Sequence, residues 1–104
     1  MARWYDGHKK LGRNIDQLQY LDGHFRDYLL AGVLKLIRRD EPRLLDTFVA
    51  EFPFEFHRRR WYDRDPYLWL IINGLQYAGL GLQDAVADFL EEETKRHQAE
   101  TKSD

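Results

Sequence analysis

The sequence has no cysteine, a single serine, three prolines and no long apolar run. Without Cys there is no disulfide scaffold, Cys-ligated zinc, iron–sulfur cluster or thiol catalysis. The one serine, Ser103, lies in the tail, which removes serine nucleophile chemistry from consideration. The longest apolar run, Tyr67 to Ile72, falls far short of the roughly 20 residues that span a bilayer. Met1 to Asp6 has no apolar signal-peptide core. Neither a Gly-x-Gly-x-x-Gly nor a Walker-type loop is present, and Gly79-Leu80-Gly81 reads as a turn between helices. Charge of one sign is lacking too: 16 basic and 18 acidic residues leave a net charge of −2. No global field therefore favours nucleic acid. The expectation is a soluble, cytoplasmic protein, and 104 residues suit one domain.

What is present in excess is aromatic. Three Trp, six Tyr and six Phe occur in the chain. Each ring carries about 150–250 Å² of surface, so a domain of this size has difficulty hiding all of them. Some are expected at the surface, where Trp and Tyr favour interfaces.

Apolar periodicity predicts an all-α domain of about five helices. Leu11, Ile15 and Leu18 form one stripe, with Asp6 as the predicted N-cap and Asp22-Gly23 as the stop and restart. Phe25, Tyr28, Leu29, Val33, Leu36 and Ile37 form a second, ending in Arg38-Arg39. Gly32 inside it costs about 1 kcal/mol against Ala unless a neighbouring helix needs the space. Asp40-Glu41-Pro42 predicts the start of a third helix, which Pro53 ends. Phe52, Phe54 and Phe56 alternate like a strand, but no partner strand is evident, so 52–61 reads as an extended or one-turn linker that pins three rings onto the helices. Asp65-Pro66 opens a helix that is apolar nearly all round and therefore central. Leu82, Val86, Phe89 and Leu90 face inward from the last helix. Residues 96–104 carry no apolar stripe and are expected to fray or be disordered.

Arg3-Trp4-Tyr5-Asp6 recurs unchanged as Arg60-Trp61-Tyr62-Asp63, an offset of 57. The same offset aligns Leu11 with Leu68, Ile15 with Ile72, and Leu18-Gln19-Tyr20 with Leu75-Gln76-Tyr77. Nine of eighteen aligned positions are identical, more than helical periodicity alone produces. The reading is one domain over 1–95, built from repeated helical hairpins at 3–39 and 60–95 and bridged by 40–59. The tetrapeptide admits a mechanical role, its ring stapling a helix start that its Asp caps. It also admits a recognition role.

Candidate chemistry is sparse. His57-Arg58-Arg59-Arg60-Trp61-Tyr62-Asp63-Arg64 joins cations to rings, as single-stranded nucleic acid requires. Between Lys35 and Arg64, however, eight bases meet six acids. An arginine network with Glu51, Glu55, Asp63 and Asp65 explains the cluster without a ligand. Asp84, Asp88, Glu91 and Glu92 share one face of the last helix, which reads as a solvated face. A carboxylate metal centre would need a Glu-x-x-His partner, which the chain lacks. His8, His24, His57 and His97 are scattered, so no metal is expected, and no cofactor. The pairs Glu51/Glu55 and Asp63/Asp65 could do acid–base work, but nothing else supports them. The sequence thus points away from an enzyme. It points to a protein–protein interaction or self-association module, in which Arg3, Trp4, Tyr5, Arg58, Arg59, Arg60, Trp61 and Tyr62 meet a protein partner or a second copy. Arg, Trp and Tyr are the usual interface hot spots. The alternative is weak single-stranded nucleic-acid binding through His57 to Arg64.

Overall fold

A computed structural model describes residues 4–51 and 61–102. Its architecture is all-α. A 3₁₀ turn at Trp4–Gly7 precedes α1 (Lys9–Leu18), α2 (Gly23–Asp40) and α3 (Leu44–Glu51). A second 3₁₀ turn at Trp61–Arg64 leads into α4 (Pro66–Gly74). A third, Leu75–Tyr77, joins α4 to α5 (Leu80–Lys102). The described residues contain no strand. The expected linker at 52–61 lies outside them, apart from Trp61.

The starts of α1, α2 and α4 have local causes. The first N-cap is His8 rather than Asp6, its Nδ1 accepting from the Leu11 N–H at 3.3 Å. Asp6 sits inside the 3₁₀ turn, two residues before that cap. Asp22 accepts from the N–H groups of His24 and Phe25. Asp65 accepts from Tyr67 and Leu68 ahead of Pro66, as its sequence predicts. α5 is served from a distance: Glu41, at the end of α2, accepts from the Gly79 N–H at 2.8 Å. Its charge also suits a helix N-terminus.

Two boundaries differ from expectation. Asp40 does not open α3. It ends α2, where Arg39 pairs with it at 2.7 Å, and α3 begins four residues later at Leu44. α5 continues through the expected frayed tail to Lys102. Thr94 is buried, Arg96 pairs with Glu93, and the His97 ring stacks on Phe25 with centroids 3.9 Å apart. These contacts hold the helix beyond the last apolar stripe.

The core joins Leu11, Ile15 and Leu18 of α1 to Leu29, Leu30, Val33 and Ile37 of α2. Leu68, Ile71 and Ile72 of α4, Leu82, Val86, Ala87 and Leu90 of α5, and Tyr5, Leu44, Tyr62 and Leu75 complete it. α4 is central, with six of its nine residues buried. α1 and α2 are not each other's main partners, nor are α4 and α5. α1 packs chiefly on α5, and α2 packs on both α5 and α4, while α3 covers α4. The arrangement is therefore interlocked, unlike two self-packed hairpins set side by side. Gly32 allows the α2–α5 approach: a Cβ there would lie 2.1 Å from Phe89 Cζ.

Candidate functional site

The residues expected to meet a partner are placed unevenly. Arg3, Arg58, Arg59 and Arg60 lie outside the described residues. Tyr5 and Tyr62 are each 1% exposed and belong to the core. Trp4 and Trp61 are half-buried and pack against it. Each Trp meets its neighbouring Tyr edge-on, at 5.3 Å and 84° in the first turn and 5.6 Å and 86° in the second. The Tyr5 hydroxyl donates to Asp16 Oδ1 at 3.1 Å. Its ring lies over the first turn of α1, close enough that a Cβ on Gly12 would meet Tyr5 Cδ1 at 3.2 Å. Neither buried indole N–H has a hydrogen-bond partner among the described residues. Tyr5 thus covers the start of α1 from inside.

The acidic face of α5 is not simply solvated. His8 Nε2 meets Asp84 at 2.7 Å, and Lys10 meets Asp88 at 2.5 Å and Glu91 at 3.3 Å. Arg13 also reaches Glu91. Because His8 Nδ1 accepts from Leu11, its Nε2 carries the proton and donates to Asp84 in the neutral ring. Arg13, then Lys10, holds the Glu91 carboxyl below its usual range. Asp88 foremost raises the Lys10 ammonium. The row zips α1 to α5. Among the described residues, no group of three or more His, Cys, Asp or Glu is placed to hold a metal ion. No described helix is long and apolar enough to cross a membrane.

A groove of about 500 Å³ opens beside α3. Leu44 and Phe48 form its apolar floor and Tyr77 one wall. Pro42 and Thr47 also line it, and Arg43, Glu41 and Glu51 supply its charges. The Tyr77 ring is 50% exposed and lies 5.7 Å from Phe48. Phe48 is backed in turn by Trp69 at 5.2 Å. Val49, on the next position of α3, is 44% exposed. Chemically the groove suits an apolar group with polar flanks. Sequence reasoning missed it. The available signal was the width of the α3 apolar face, which runs from Leu44 and Leu45 to Phe48 and Val49, more than one packing partner needs. Of the six tyrosines, Tyr20, Tyr28, Tyr67 and Tyr77 are the exposed ones, so the surplus rings do reach the surface, but elsewhere than expected.

No protein-family model, curated protein or solved structure matches the chain.

Proposed function

We propose that the protein is a non-enzymatic interaction module whose α3 groove receives a large apolar side chain from a protein partner. The half-exposed Tyr77 ring over Phe48 carries this reading. An aromatic wall above a rigid apolar floor is the usual anchor pocket of an interface, with charged groups at its rim. The inward-turned Tyr5 and Tyr62 lend the Arg–Trp–Tyr segments less support as a docking surface.

A random-peptide library selected on the immobilised protein, with Tyr77→Ala as counter-target, tests the reading. Enriched peptides should share a large apolar residue and lose about tenfold in affinity on Tyr77→Ala, the value of one interface contact of about 1.4 kcal/mol. Failure to enrich, or peptides indifferent to Tyr77→Ala, would refute it.

A further inference from the structure

The offset of 57 extends beyond the matching residues. The 3₁₀ turns begin at Trp4 and Trp61, and the N-caps are His8 and Asp65. α2 begins at Gly23 and α5 at Leu80. Buried Leu29, Leu30, Val33 and Ile37 of α2 correspond to buried Val86, Ala87, Leu90 and Thr94 of α5, where sequence identity has gone.

The contacts between α2 and α5 locate an axis. Gly32 and Phe89, which touch, are themselves 57 apart. Tyr28 donates to Glu93 at 2.6 Å, four residues before Gly32 and four after Phe89. Phe25 stacks on His97, seven before and eight after. Glu41 binds Gly79, nine after and ten before. Two antiparallel helices that cross at equivalent positions are related by a two-fold through the crossing. The packing obeys it: α1 lies on α5 as α4 lies on α2.

The two halves are complementary rather than alike. At the crossing, one half offers the hollow of Gly32 and the other the ring of Phe89. On the flank, Lys10 and Arg13 of the first half meet Asp88 and Glu91 of the second. A first half therefore fits a second half and does not fit another first half.

We infer that the surface each half presents to the other also fits a second copy of this chain, so that two chains form a closed dimer by exchanging halves. Each first half then packs on the partner chain's second half, through the same hollow, ring and ion pairs. The inference does not rest on the function proposed above, although the α3 groove, walled by Tyr77 of the second half, is also built across the two halves.

Two full-length variants test it. Gly32→Phe puts ring against ring, and Phe89→Gly puts hollow against hollow. In an exchanged dimer of one chain of each kind, both crossings regain one ring and one hollow. Each variant is unfolded and refolded alone, then the two are refolded together, and mass and helicity are read by light scattering and circular dichroism. The expected result is a 1:1 species of twice the chain mass, with the helicity that Gly32→Phe alone lacks. A mixture that behaves as the sum of its parts overturns the inference. Gly32→Phe with Phe89→Gly in one chain restores one ring and one hollow to every crossing and must regain the parent's helicity; its failure overturns the equivalence of the halves. A surface pair repeats the logic without touching the core: Lys10→Glu with Arg13→Glu in one chain, Asp88→Lys with Glu91→Lys in the other. A dimer in the mixture that outweighs either variant's own supports the inference, and its absence counts against it.

Discussion

Gly32 faces Phe89 so closely that a Cβ on the glycine would lie 2.1 Å from the tip of the ring. Ala in mid-helix normally gains about 1 kcal/mol over Gly. Overpacking costs about 1–3 kcal/mol. Gly32→Ala should therefore destabilise by about 1 kcal/mol net, read as a lower urea midpoint. A higher midpoint would mean that Phe89 swings aside at no cost.

Tyr62 and Tyr20 form a natural contrast, 1% and 81% exposed. Removing a buried ring costs about 3–5 kcal/mol. Tyr62→Ala should lose that much, while Tyr20→Ala stays within about 0.5 kcal/mol of the parent, as exposed positions do. Thermal unfolding followed by circular dichroism distinguishes them. Equal losses would contradict the inward placement of the tetrapeptide ring.

The α1–α5 ion pairs set a pH window. Arg13 and Lys10 lower the Glu91 pKa from its usual 4.5. A carboxylate with a lowered folded-state pKa contributes stability that is present above its unfolded value and is lost as pH falls through the folded value. Lys10, raised from 10.5, contributes stability that is present below that value and is lost as pH rises through its folded pKa. Both groups are solvated, so the effect is small and salt-sensitive. Glu91→Gln should lower the melting temperature slightly near neutrality and flatten its fall below pH 4.5. An acid limb identical to the parent's would remove Glu91 from the account.

Asp65 and Glu41 both satisfy helix N-termini, one locally and one across the fold. Asp65→Ala should cost about 1 kcal/mol, the usual loss of an N-cap. Glu41→Ala should cost a similar amount and increase amide exchange at Gly79. Unchanged exchange at Gly79 would show that its N–H does not depend on the carboxylate.

Periodicity made the helices legible, because burial of one face dictates spacing. Asp65-Pro66 was legible because cap and proline act within one turn. Gly32 was legible as a close approach, although not the ring it meets. His8 was not legible as a cap, since a ring nitrogen takes that role only when the preceding turn sets its geometry. The length of α5 was hidden because Thr94, Arg96 and His97 are held by α2 and by the helix itself rather than by an apolar stripe. The α3 groove lay beyond reach for a similar reason: Phe48 and Tyr77 are 29 positions apart, and only the fold joins them.

Interlocking also has a consequence for how the chain comes into being. α1 emerges first from the ribosome, yet the helix it packs on is the last to be made. With synthesis at about 5–20 residues per second, its apolar stripe stays uncovered for several seconds. A ribosome stalled after α3 would hold a chain whose Leu11, Ile15 and Leu18 lack the α5 face that covers them in the finished fold.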